Sequence, residues 1–272
     1  MATESSLAMH DEGSSQDGEM IEVKREMVWG RVLVRTIVAC VAAFVAVKAI
    51  GRIGEVFVLP PDLASVGFGQ VPSPEVKAKI TAAVFSNAVG NAAIWMGTAG
   101  AILGTCLAVV VAFSVRKSGN PFPVIAGLVV AGASFSAFAG VLGVWCDSAA
   151  RRSMAADASS PAEHLVVMIH GLVWFVVGGG IGVGVALGSR RPIRMHLETI
   201  ATVALSGLLG GCLFPIVAGV FFPAIDSSSS IPGVDPPESR ILWLCLPAVF
   251  IGCAVGRRES SPDLSVRCCE SP

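Results

Sequence analysis

Charge is the scarcest feature of this chain. Of 272 residues only 14% are Asp, Glu, Lys or Arg, while 53% are hydrophobic, and the mean hydropathy is +0.73. A soluble domain carries about 25% charged residues. A soluble protein this apolar would have to hide its surface in an improbably large core. The composition therefore belongs to the membrane class, with the lipid bilayer as the expected partner.

Tyrosine is missing, which removes a common interfacial and catalytic side chain. A net charge of −1 leaves no electrostatic footprint for nucleic acid, so no nucleic-acid partner is expected. The eight cysteines contain no CxxC spacing, so neither a zinc site nor a thioredoxin-like motif has support. Cys40, Cys106, Cys212, Cys245 and Cys253 fall inside apolar runs, where they behave as small hydrophobes. Cys268 and Cys269 stand together in the tail and read as inert. No metal and no cofactor is expected. No Ser/His/Asp, HExxH, GxSxG or Walker pattern sits where its chemistry could operate.

What is present is a series of six apolar runs, five of them long enough to cross a bilayer as a helix and the sixth marginal in length. The most telling runs from His164 to Arg194; no charge interrupts it between Glu163 and Arg190, and five glycines lie between Gly178 and Gly184. The whole chain reads as an all-α integral membrane protein, a six-transmembrane-helix bundle. The spans are expected at about 32–50, 92–115, 122–146, 164–188, 197–222 and 241–256. Residues 1–26, with seven carboxylates, read as a disordered acidic cytoplasmic tail. Residues 27–258 form the transmembrane domain and 259–272 a short polar tail.

Helix-start signals punctuate the series. Ser73-Pro74-Glu75 places an N-cap, a first-position proline and a first-turn acid in order, so a helix is expected from Pro74 to Val115. Ser160-Pro161-Ala162-Glu163 repeats the signal with the acid at the capping-box position. Gly51 to Ser73, broken by Pro60-Pro61, Gly67 and Gly69, reads as a loop. Pro215 falls inside span five as a kink signal, and Pro247 inside a sixth span that is short at 16 residues. Arg31, Arg35 and Lys48 flank span one, where long cationic side chains snorkel to the interface without a buried partner.

Six spans place both tails on one side. That side carries Lys24, Arg25, Arg31, Arg35, Arg116, Lys117, Arg190, Arg191, Arg194, Arg257, Arg258 and Arg267. The opposite side carries Lys48, Arg52, Lys77, Lys79, Arg151, Arg152 and Arg240. Twelve of the 19 cationic residues against seven predicts tails in the cytoplasm, in a cytoplasmic (inner) membrane.

The two middle hairpins read as a tandem repeat of a helical hairpin. Asn91-Ala92-Ala93-Ile94-Trp95 aligns with His170-Gly171-Leu172-Val173-Trp174, Ala139-Gly140-Val141 with Ala218-Gly219-Val220, and Asp147-Ser148 with Asp226-Ser227. Some transporters use parallel repeats of this kind. Glycines at steps of four recur: Gly178 with Gly182; Gly180, Gly184 and Gly188; Gly100 with Gly104; Gly207 with Gly211. Lipid supplies little hydrophobic drive between helices, so such positions are expected to let backbones approach.

Polar candidates are few. Asp147 and Asp226 would occupy equivalent helix ends in the repeat and could face a cation, although helix-terminating acids in wet loops are the plainer reading. His170 is expected about a turn inside the interface. Three functional classes follow: a structural or accessory membrane component, which needs no charged path; a small-solute transporter or channel; and, least supported, an intramembrane enzyme. Protein partners are not legible.

Overall fold

A computed structural model describes residues 12–67, 72–115, 120–154, 163–187, 192–221 and 237–259. The described residues are helical apart from short connections. The helices are α1 (Glu12–Ile53), the single turn α2 (Pro61–Ala64), α3 (Pro74–Val115), α4 (Phe122–Met154), α5 (Glu163–Leu187), α6 (Ile193–Phe221) and α7 (Pro237–Glu259). Six of these, all but α2, are long and apolar enough to cross a membrane. Their outward faces carry Leu33, Ile37, Val41, Val109, Phe113, Val130, Phe138, Leu205, Leu209 and Val220 exposed. Apolar patches of this extent are not left facing water. This is a multi-pass integral membrane protein whose helices touch lipid.

The six long helices form a ring in chain order. Each packs on the next, α7 closes against α1, and α5 also reaches α3 and α7. Gly256 lies against Val32, so α1 leaves from, and α7 returns to, the same end of the bundle, called here the termini end. Helices α3, α5 and α7 run toward it; α1, α4 and α6 run away to the far end.

The helix from Pro74 to Val115 has the expected limits. Its 42 residues span about 63 Å at 1.5 Å per residue, twice the roughly 30 Å hydrocarbon core. Its first turns therefore project at the far end beside the end of α4. There Phe85 meets Trp145 edge-on at 5.4 Å, and the Arg152 guanidinium lies 5.8 Å from the Phe85 ring centroid.

Three expectations need correction. The acidic segment expected to be disordered is helical from Glu12 onward, continuous with the first span. It has no proline, the good helix formers Glu19, Met20, Glu22, Lys24, Arg25 and Glu26 lie next to the span, and the membrane-held helix below removes the cost of nucleation, which offsets Gly13 and Gly18. Residues 1–11 and 260–272, including Cys268 and Cys269, lie outside the described residues. The sixth helix covers 23 residues rather than 16, because Pro237 at its start and Glu238 in its first turn carry it past Arg240. The segment from Gly51 to Ser73 holds no further span among the described residues, as expected; it contains only the end of α1, the turn α2 and a 3-10 turn at Ser65–Gly67. Arg35 does not snorkel: it is 4% exposed, where the inner turns of α1 meet Gly252 of α7. Both prolines sit within unbroken helices, and Pro247 lies flush against Gly210 of α6.

Candidate functional site

Helices α3, α5 and α7 each carry a polar residue four positions before a tryptophan: Asn91 and Trp95, His170 and Trp174, Ser239 and Trp243. Four residues is about one helical turn, so the two side chains of a pair stack on one face. All six are buried. They lie toward the far end, where burial takes their polar atoms away from bulk solvent.

The first pair is closed by the chain itself. Asn91 Oδ1 accepts from the backbone N–H of Val56 at 3.0 Å and of Phe57 at 2.9 Å. Its Nδ2 donates to the Phe57 carbonyl at 2.9 Å. The Trp95 indole N–H donates to the Gly54 carbonyl at 2.7 Å. Gly54 has φ +62°, a left-handed conformation glycine adopts without strain, and it turns the chain off α1 onto α3. The Phe57 ring lies on Gly90, where any Cβ would fall on it.

The second and third pairs are cross-wired. The Trp243 indole N–H donates to His170 Nδ1 at 3.0 Å. Indole is a donor only, so Nδ1 is the unprotonated acceptor nitrogen. The His170 ring packs edge-on against Phe214 at 5.0 Å, and Trp174 lies 5.1 Å from Trp243. His170 is fully buried, deeper in the packing than an interfacial position implies. The Trp174 indole nitrogen, the Ser239 hydroxyl and the hydroxyl of Ser136 on α4 have no protein hydrogen-bond partner.

Ser136 and Trp174 line the same small cavity, about 10 Å³, between α1, α3, α4, α5 and α7. Its remaining walls are Ala, Gly, Leu, Val and Met side chains. A cavity needs roughly 10–15 Å³ to hold one water, so this one is at the size of a single molecule.

The predicted glycines lie at close backbone approaches. A Cβ at Gly104 would fall on the Leu128 carbonyl, and one at Gly100 on the Gly132 carbonyl and the Ser136 side chain. In the next hairpin a Cβ at Gly178 would meet the Val203 carbonyl, at Gly182 the Ile200 backbone, at Gly207 the Trp174 carbonyl and at Gly211 the His170 carbonyl. Gly180 and Gly184 face α4 instead, against Ala131 and Phe135 and against Leu128. Gly188 lies outside the described residues.

Asp147 is engaged locally: its carboxylate accepts from Arg151 Nε at 2.9 Å, one turn along α4. Asp226 lies outside the described residues. At the termini end Arg258 of α7 reaches α6, donating from Nε to Thr202 Oγ1 at 3.0 Å and standing 3.4 Å from Glu198. Among the described residues no three His, Cys, Asp or Glu side chains come together as a metal site would require.

Sequence reasoning singled out His170 but missed Asn91 as a loop clamp, Ser136, Ser239 and the burial of Arg35. The polar-x-x-x-Trp spacing in three helices was the available signal. No protein-family model, no curated protein and no solved structure matches the chain. The fold and this buried polar layer define its class, a multi-pass helical membrane protein.

Proposed function

We propose that this chain is a structural or accessory component of a membrane and not a conduit through one. The observation that carries the reading is the interior of the ring. Where a substrate path would run, the cavity holds about 10 Å³, against the roughly 300–1,000 Å³ of a ligand pocket. Among the described residues, close backbone approaches between α3 and α4, α4 and α5, and α5 and α6 pack these helices tightly around it. The glycines serve as packing residues, and the buried polar residues serve mainly to fix helices and a loop to one another.

The placement proposed is a cytoplasmic (inner) membrane with both tails inside, supported by the basic asymmetry of 12 against seven residues. The two middle hairpins read as copies of one unit. In support, Gly100 of α3 lies against Gly132 of α4, and Gly207 of α6 lies against Gly178 of α5.

The test is flux from liposomes holding the full-length protein. Release of ions and small neutral solutes at the rate of protein-free liposomes is the expected outcome. Saturable, protein-dependent release overturns the reading in favour of a transporter or channel built on a duplicated hairpin.

A further inference from the structure

We propose that the cavity between Ser136 and Trp174 is a binding site for one water molecule, held between the Trp174 indole N–H and the Ser136 hydroxyl. Three buried indoles stand at corresponding places on α3, α5 and α7. Trp95 donates to the Gly54 carbonyl and Trp243 to His170. Trp174, 2% exposed, has no protein acceptor. Ser136, fully buried on α4, has no protein partner for its hydroxyl.

Buried polar groups in folded proteins are hydrogen-bonded to protein or to ordered water. Two orphaned groups lining one cavity therefore call for a shared ligand, and the volume selects its size. A water accepts from the indole N–H and donates to the serine oxygen, which meets the minimum of two polar partners. An apolar occupant of this size would satisfy neither group.

The sequence supports the site from a third side. Gly100 faces Ser136, and a Cβ there would occupy the Ser136 hydroxyl position. The glycine thus leaves the hydroxyl its place beside the cavity. The water would tie α4 to α5 where both touch α3, inside the membrane. This site does not depend on whether the protein conducts, because a single bound water is compatible with either result of the flux test.

The experiment uses full-length protein in lipid nanodiscs, with bulk water as the probe. Indole-15N labelling with water-edited NMR should show transfer from water to the Trp174 indole proton, assigned as the resonance missing in Trp174→Phe. Ser136→Val, which fills the space with methyl groups, should abolish that transfer and leave the Trp95 indole signal in place. An electron cryomicroscopy map that resolves ordered water should show one peak within hydrogen-bonding distance of both Ser136 Oγ and Trp174 Nε1. That map requires no variant, so a misfolded mutant does not decide the matter. No water transfer to the indole, a direct bond between Nε1 and Oγ, or a cavity without density overturns the proposal.

Discussion

The indole of Trp243 and the imidazole of His170 share a hydrogen bond of 3.0 Å between α7 and α5, in a place where neither ring is more than 2% exposed. Hydrogen bonds between membrane helices average about 0.6 kcal/mol in double-mutant cycles and reach about 1.7. This one, neutral, buried and backed by ring contacts with Phe214 and Trp174, belongs in the upper part of that range. A cycle of Trp243→Phe and His170→Phe, read by steric trapping in bilayers, should give a coupling of about 1–1.7 kcal/mol. A coupling indistinguishable from zero would mean the two rings merely adjoin.

The glycines differ in what surrounds them, and that difference makes them testable. At Gly207 and Gly104 an added Cβ meets a carbonyl of the facing helix, which cannot swing aside as a side chain can. Gly207→Ala and Gly104→Ala should each destabilise by about 1–3 kcal/mol, the usual range for overpacking. Gly219, with nothing within 4 Å, is the control. Its change to alanine should be neutral or stabilising by up to about 1 kcal/mol, because alanine favours helix. Equal losses at all three would contradict backbone contact as the cause.

Asn91 holds the segment after α1 through three hydrogen bonds to Val56 and Phe57. Asn91→Ala should release the amides of Val56 and Phe57 to hydrogen exchange, while amides in the middle of α3 keep their protection. Unchanged exchange at both positions would show that the Phe57 ring on Gly90 suffices to hold the loop.

Asp147 pairs with Arg151 one turn away on the same helix. Such i, i+4 pairs contribute about 0.3–0.5 kcal/mol. Asp147→Asn should therefore shift thermal stability by no more than that, and added divalent cations should stabilise parent and variant alike. Cation-dependent stabilisation lost in the variant would return Asp147 to the role of a site residue.

Much of the fold was legible because lipid enforces a simple rule. With no water to serve backbone groups, spanning segments must be helices about 20 residues long, so hydropathy showed six spans, and the Ser73-Pro74-Glu75 capping signal gave the start of α3. The limits that sequence misjudged are those set by local helix chemistry beyond the bilayer: the continuation of α1 back to Glu12, and of α7 to Pro237. The buried polar layer was mostly illegible. Whether Arg35 snorkels or is buried depends on which helix covers it, and periodicity within one helix does not report that. Asn91 looks like any polar residue near an interface until the loop from Gly54 is laid across it.

The central claim, a solid bundle in which no aqueous path follows α5, is tested most directly by thiol accessibility. Single cysteines at Val177 and Ala99, both on the cavity wall, would be placed in a background cleared of the eight native cysteines. The protein in liposomes is then exposed to a small, membrane-impermeant thiol reagent on each side in turn. A cysteine at exposed Ser65 reports successful reaction. The account predicts labelling at position 65 and none at 177 or 99 from either side. Labelling at either interior position contradicts it, because a hydrated reagent cannot enter a cavity that holds one water.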